Sequence, residues 1–470
     1  MAVVKRDCPT CVTVAPVLAQ LRDAGLPLTI YSQDDPTFPE ATGGALDDTD
    51  LEVSWQLDLD TVPTLLRVVG GREAERIVGW ERARWQAFTG VDGLGPDLPD
   101  WRPGCGSRTQ DPLLVDQLRV RFGGSVLRSR RIDLAALEDP IEALFERGWT
   151  DGLPAVPPTE DRVLRMLDGT TRAPDEVVAI VPPDLAECTV EKVAVNAVMA
   201  GCRPEYLPVV LAAVEAACTD EFNMHGLLAT TWMSGPVVVV NGPVAQRIGM
   251  NSGGNAFGQG NRANATIGRA LQLVVRNVGG GRPGEIDRAT LGNPGKYTFC
   301  FAEDEAGSPW ESLAVERGLE PATSAVTLFA GEGPRGIVDQ LSRTPESLAR
   351  SFAACLRTVA HPKLPIAFDA MLVVSPEHAR VFRDATWDKA RLRRELDELL
   401  QLDGADIVRG AGGMEEGLPE SFAEATLPKF RAGGLPIVHV GGTAGLFSAI
   451  IGGWASGAVG SELVTRPVGT

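Results

Sequence analysis

Lysine, asparagine and histidine are among the scarce residues of this chain, and each scarcity says something different. Lysine occurs six times, at positions 5, 192, 296, 363, 389 and 429, which leaves 38 of the 44 basic residues as arginine. Acidic residues number 62, so the net charge is −18 with a pI of about 4.8, and no basic run occurs anywhere. A surface that binds nucleic acid or anionic lipid by releasing counterions is therefore not expected. The four histidines (225, 361, 378 and 439) form no HxH, HxxxH or HExxH spacing, so no dedicated metal motif is written in the sequence. No apolar run of about 18 residues is present, and the N-terminus MAVVKRDCPT lacks the apolar stretch of a secretory signal. A cytoplasmic protein without a membrane span is the expectation. Thiols stay reduced in that compartment, so the eight cysteines read as catalytic, metal-binding or buried rather than as a disulfide framework. All nine asparagines fall between positions 196 and 293. Compositional drift is one reading; a site that needs amide donors and left-handed backbone positions is the other. The length of 470 residues and the 44% hydrophobic content suit roughly two to four domains with sizeable cores.

Residues 2–6 (AVVKR) lead into Cys8-Pro9-Thr10-Cys11, after which residues 12–25 (VTVAPVLAQLRDAG) have helical spacing and end on Gly25. Residues 26–34 read as a strand. A short helix is expected near 50–57, then a strand at 64–69, a Gly-Gly turn, a strand at 75–79 and an amphipathic helix at 81–88. Val62-Pro63-Thr64 opens the hairpin. No second cysteine pair lies at a spacing that would complete a zinc site.

A CxxC at a strand-to-helix turn, followed by Val-Pro-Thr before a hairpin and a helix, resembles the thioredoxin superfamily over residues 1–90. The resemblance implies a cis bond before Pro63 beside the active cysteines. It also implies that Cys8 is the nucleophile and Cys11 the resolving thiol. A thiol at a helix N-terminus has the right surroundings for that role, because the macrodipole and free N–H groups stabilise a thiolate. Lys5 and Arg6 would lower the Cys8 pKa and Asp7 would raise it. The proline-first order Cys8-Pro9-Thr10-Cys11 is more like glutaredoxins than the usual Trp-Cys-Gly-Pro-Cys. The strand and helix that normally precede the CxxC in the family are missing or circularly replaced here.

Residues 91–132 are expected to be a linker, on the density of Gly, Pro and Asp between Val91 and Pro112. Within it, Cys105 stands between Gly104 and Gly106, where the backbone can turn its N–H groups toward a thiolate or an oxyanion. Cys105 is thus a candidate partner of Cys8 and Cys11 or a substrate-attacking thiol, against the plainer reading of an incidental cysteine. Cys105-Gly106-Ser107, together with residues 260–270 (GNRANATIGRA), is similar to the UGSC group of selenoproteins and their cysteine homologues. Arg108 stands where that group has its second thiol. The likeness implies redox chemistry.

From residue 133 to 470 the pattern alternates strand and helix. Continuous apolar strands such as 236–240 (PVVVV) and 366–374 (IAFDAMLVV) argue an α/β domain with a mainly parallel sheet. Ligands are then expected at the carboxyl ends of the strands. A duplication relating 236–254 to 436–453 is one reading of their shared strand, turn and Gly-Gly, with a helix following Gly441-Gly442-Thr443 in the second copy.

The densest chemical signal is the Gly/Asn loop 249–261 running into a helix that begins near Arg262. Asn251, Asn255, Asn261, Arg262 and Asn264, with Lys296 further on, are candidate ligands for a small anion. The loop matches neither a phosphate-binding lysine loop nor a dinucleotide fingerprint. His225 is the leading general acid or base, and Cys300 a second candidate thiol. His439 could line a pocket, and Glu303 and Glu305 could work as a carboxylate pair. Cys188, Cys202, Cys218 and Cys355 read as core.

Taken together, these features favour a thiol-dependent oxidoreductase or sulfur-transfer enzyme. The N-terminal domain would supply electrons or sulfur to a small anionic substrate in the C-terminal domain, using Cys8, Cys11, Pro63, Cys105, His225 and Cys300. The alternative is a lyase, hydratase or transferase whose thioredoxin-like domain regulates or docks. No cofactor is expected, with a metal held through Cys, His and Glu left open. A thiol compound, a redox partner protein and self-association complete the expected partners.

Overall fold

The computed structural model describes residues 1–124 and 126–469. The chain divides into two units, Met1–Val126 and Leu127–Thr470.

The smaller unit is built on β1 (Ala2–Val4), α1 (Pro9–Asp23), β2 (Ile30–Ser32), β3 (Leu46–Asp47), β4 (Thr64–Val69), β5 (Arg72–Val78) and α2 (Arg82–Thr89). Val14, Val17, Leu18 and Leu21 recur at three and four residues on α1, and all are buried. The sheet order is β3-β2-β1-β4-β5; β1 is parallel to β2 and antiparallel to β4. β4 and β5 form the expected hairpin around Gly70-Gly71. Trp80 and Trp85 meet edge to face at 5.0 Å in the same core as Cys8 and Cys11.

The segment expected as linker is not one in its central part. Trp101–Arg102 pairs with Trp80–Glu81, and Cys105–Gly106 pairs antiparallel with Thr61–Val62. Trp80 Nε1 donates to Pro99 O, and Thr10 Oγ1 donates to Pro103 O at 2.7 Å. The glycines and prolines that suggested a linker allow close approach instead. Gly79, at φ +70°, would bring a Cβ within 2.9 Å of the Gly104 nitrogen.

The larger unit contains α3 (Val190–Ala200), α4 (Leu207–Ala217), β6 (Gly235–Asn241), α5 (Arg262–Asn277), β7 (Cys300–Ala302), β8 (Ala325–Val338), α6 (Pro345–Leu356), β9 (Phe368–Val374), α7 (Pro376–Asp384), α8 (Lys389–Leu399), β10 (Ile437–His439), β11 (Phe447–Ala455) and β12 (Val464–Pro467). The α/β class holds. The sheet, however, is mixed rather than mainly parallel, with order β7-β6-β8-β11-β9-β10 and β12 against β8. Only β6/β7 and β9/β10 are parallel; the other four pairings are antiparallel.

That order is a palindrome. In the first half, β6 and its parallel neighbour β7 are separated by α5 and followed by antiparallel β8. In the second, β9 and β10 are separated by α7 and α8 and followed by antiparallel β11. A duplication is thus visible, but β6 corresponds to β9 and not to the strand at 437–439. Residues 447–455, expected as a helix, are β11.

The two edge strands meet where Asp304 N donates to His439 O at 2.9 Å. Val237, Phe301, Phe329, Met371, Val438 and Ile451, one from each of the six strands, pack into a single interior cluster. The opposite faces pack on helices: Val238, Cys300 and Leu328 join the cluster of α3, α4 and α5, while Leu372, Ile437 and Ile450 join that of α6, α7 and α8. Strand alternation therefore feeds two apolar environments, each buried aliphatic or aromatic side chain contributing about 1.5–3 kcal/mol.

Candidate active site

Cys8 is the N-cap of α1, with extended backbone (φ −143°, ψ 110°), and Pro9 occupies the first helical turn, where its missing N–H costs nothing. The Cys11 N–H donates to Cys8 Sγ at 3.3 Å. The Val62–Pro63 peptide is cis, and Val62 O lies 3.6 Å from Cys8 Sγ. Val62 is also the register partner of Cys105. Pro63 thus flanks the cysteines through its preceding residue, and the strand paired there brings a third thiol to the same sulfur.

Three thiols share this centre. The Cys11 thiol, the Cys105 thiol and the N–H groups of Cys11 and Thr10 all favour the Cys8 thiolate, and together they outweigh burial and lower its pKa to about 5. Burial raises the Cys11 pKa above the ordinary thiol range, and its hydrogen bond to Cys8 adds to this. Burial and the hydrogen bond to Cys8 also raise Cys105. Cys8 and Cys11 are 1% and 0% exposed, whereas Cys105 is half-buried and faces solvent more. Arg6, expected to bias Cys8, instead pairs with Asp35 and Glu40, each at 2.6 Å. Lys5 acts electrostatically on Cys105.

The Cys105 strand is anchored on both sides. Ser107 N donates to Asp60 O, Gln33 Nε2 donates to Ser107 Oγ at 2.7 Å, and Arg108 Nη1 donates to Gln33 O at 2.9 Å. Arg108, read as a lost thiol position, is thus a clamp on this strand.

In the larger unit the candidate residues do not converge. Cys300 is buried on the helix-facing side of β7, where burial pushes its thiol far up. Cys188, Cys202 and Cys218 are pushed up to about 12 for the same reason. His225 is exposed on the short helix Met224–Ala229. Lys296 pairs with Asp287 at 2.7 Å.

The loop asparagines hold the loop itself. Asn251 Nδ2 donates to Gly254 O, Asn255 Nδ2 to Gln259 O, and Asn264 Nδ2 to Asn251 O and Ala256 O. Asn261 Oδ1 caps α5 by accepting from Asn264 N, and Arg262 Nε donates to Gly201 O. Asn223 and Asn255 take left-handed backbone at φ 52° and 60°. Amide chemistry and left-handed positions are what the asparagine window uses, with these side chains bonded to the loop's own backbone.

One cluster was only partly legible. Glu303 Oε2 accepts from Asn241 Nδ2 and Leu313 N, both at 2.7 Å, and His439 N lies 3.4 Å from Oε1. Burial raises the Glu303 pKa and lowers that of His439. The His439 ring nitrogens have no hydrogen-bond partner among the described residues, Asp304 Oδ2 being 3.8 Å from Nε2. Asn241 Nδ2 also donates to Glu305 Oε1 at 2.8 Å, so one amide bridges the two carboxylates at the point where the two sheet edges meet.

Three of the six lysines are also buried. Lys429 donates to the carbonyls of Val359, His361 and Leu364, and burial lowers its pKa to about 8; Lys363 donates to those of Val408 and Met414. Lys389 pairs with Glu316. Among the described residues no group of three or more His, Cys, Asp and Glu side chains could hold a metal ion, and no helix is long and apolar enough to cross a membrane. No family model, curated protein or solved structure matches the chain.

Proposed function

We propose that the smaller unit is a thiol–disulfide oxidoreductase of thioredoxin-superfamily type, in which Cys8 is the nucleophile and Cys11 and Cys105 compete to resolve its mixed disulfide. The observation that carries this is the Cys8 sulfur, held at about 5 while both neighbouring thiols are pushed up. At neutral pH one thiolate therefore stands beside two protonated thiols. The β1-α1-β2 parallel pair followed by the β4-β5 hairpin, with the CxxC at the start of α1, supports the superfamily resemblance.

The chemistry balances without a further reactant. The Cys8 thiolate attacks one sulfur of a substrate disulfide and expels the other half as a thiolate. Cys11 or Cys105 then loses its proton and attacks Cys8 Sγ, expelling the second substrate thiol. Two electrons pass to the substrate, and the protein keeps one new S–S bond. Substrates of this kind are small disulfides or the disulfide of a redox partner protein. Cys300 has no place in this exchange.

A single turnover of the reduced protein with oxidised glutathione tests it. Wild-type protein is expected to release two glutathione equivalents and lose two hydrogens by mass. Cys8→Ser should react severalfold more slowly at pH 7, because the thiols that remain are buried or half-buried and largely protonated there. An unchanged rate in Cys8→Ser would reject the assignment.

A further inference from the structure

Gln33 directly follows β2, is 0% exposed, and has a partner for every polar atom it carries. Its Nε2 donates to Ser54 Oγ at 2.8 Å and to Ser107 Oγ at 2.7 Å, and its Oε1 accepts from Arg108 N at 3.1 Å. A backbone N–H can only donate, so the amide has one orientation. On the main chain, Gln33 N donates to Val4 O at 3.0 Å, and Gln33 O accepts from Arg108 Nη1 at 2.9 Å. Val4 ends β1, the strand that leads into the Cys8 turn. One residue thus ties the strand before the CxxC to the two residues that follow Cys105-Gly106.

The far end of this network is a buried carboxylate. Asp48, also 0% exposed, accepts from the N–H groups of Val53 and Ser54 and from Ser54 Oγ. With its proton directed at Asp48, the Ser54 hydroxyl is left as an acceptor for Gln33. Ser107 Oγ accepts from Thr109 N at 3.3 Å as well. A buried network satisfied in this way holds one arrangement. The other end of the Cys105 strand is held separately, by Thr10 Oγ1 on Pro103 O at 2.7 Å and by Arg102 Nη1 on Thr13 Oγ1 at 2.6 Å.

We infer that Gln33 is a positioning residue for the third thiol: by fixing Ser107 and Arg108 it keeps Cys105 opposite Val62 and within reach of Cys8, and so sets how fast Cys105 resolves a Cys8 mixed disulfide. This rests on the exchange proposed above. In that step the Cys105 thiol gives its proton to water, its sulfur attacks Cys8 Sγ, the bond from Cys8 to the substrate sulfur breaks, and the substrate leaves as a thiolate. Without the Gln33 amide the strand keeps its pairing with Thr61–Val62 and its anchor at Thr10, but the thiol spends less time in line with Cys8, and its effective concentration falls. Cys11 has no such dependence, because it sits on α1 one turn from Cys8.

Two backgrounds separate positioning from a general loss of structure. In Cys11→Ser only Cys105 can resolve Cys8, and in Cys105→Ser only Cys11 can. Each reduced full-length protein is mixed with oxidised glutathione, and acid-quenched samples are weighed by mass spectrometry, which follows the glutathione adduct on Cys8 and then its release. Gln33→Met keeps the side-chain length without the amide. It should slow release about fivefold in Cys11→Ser, the factor that one net hydrogen bond makes in an equilibrium, and leave release in Cys105→Ser unchanged. Ser107→Ala should behave in the same way, and it decides the question if Gln33→Met does not fold. Equal slowing in both backgrounds would make Gln33 a structural support only and overturn the inference. Release unchanged in both, or an adduct that persists in Cys11→Ser itself, would also overturn it. Failure of Cys8 to take up glutathione at all would overturn the exchange, and the inference with it.

Discussion

Replacing Glu303 with alanine is expected to lower the stability of the larger unit by about 1–3 kcal/mol, the cost of leaving buried donors without their acceptor. Leu313 N would lose its acceptor, Asn241 Nδ2 would keep only Glu305, and His439 N would lose its neighbour, at the place where the two sheet edges join. Glu303→Gln keeps the shape and one carbonyl oxygen and should cost much less. The two variants also differ in their response to pH. Burial raises the Glu303 pKa in the folded state. Its contribution to stability is therefore fully present below the unfolded value near 4.3 and is lost as pH rises through the folded value. The stability of wild type relative to Glu303→Gln should accordingly fall as pH rises above about 4.3. Urea unfolding followed by circular dichroism from pH 4 to 8 measures both effects. A loss under about 1 kcal/mol in Glu303→Ala, within the range of an ordinary surface substitution, would contradict the role given to this carboxylate.

Titration of the reduced protein by ultraviolet thiolate absorbance is expected to show one cysteine ionising near pH 5. In Cys11→Ala that midpoint should rise the most, because the Cys11 thiol is the largest influence lowering it. In Cys105→Ala it should rise less. The sign for stability follows: with its folded pKa depressed, Cys8 stabilises the reduced fold fully above the ordinary thiol value near 8.5, and that stabilisation is lost as pH falls through about 5. A midpoint unmoved in both variants would show that the neighbouring thiols do not hold the charge.

The smaller unit was legible because its signals are local. A thiol at a helix start, a proline after it and a Gly-Gly hairpin are each decided within a few residues. What stayed hidden there was a pairing between distant segments, Val62 with Cys105, which the glycines around Cys105 disguised as a linker. In the larger unit the α/β class could be read but the strand directions could not. A parallel sheet covered by helices and a curled mixed sheet with an apolar interior both bury the two faces of a strand, so both produce unbroken apolar runs. Ile450 and Ile451 show the consequence. They are adjacent, they enter different clusters, and without a polar alternate the stretch passes for a helix. The asparagine window correctly marked a region rich in amide chemistry. Its loop members bond to their own backbone, however, and sequence alone does not tell a self-satisfied amide from one waiting for a ligand. The scarcity of lysine was a usable signal: with arginine so abundant, Lys363 and Lys429 persist where one ammonium gathers several backbone carbonyls.

The central claim is that Cys8 and Cys105 can exchange a disulfide across the Val62 pairing. Oxidation of the Cys11→Ser variant, followed by peptide mapping without reduction, tests it most directly. A Cys8–Cys105 disulfide within one chain is the predicted product, whereas Cys8 recovered as a free thiol, or bonded only to a second chain or an added thiol, would contradict it.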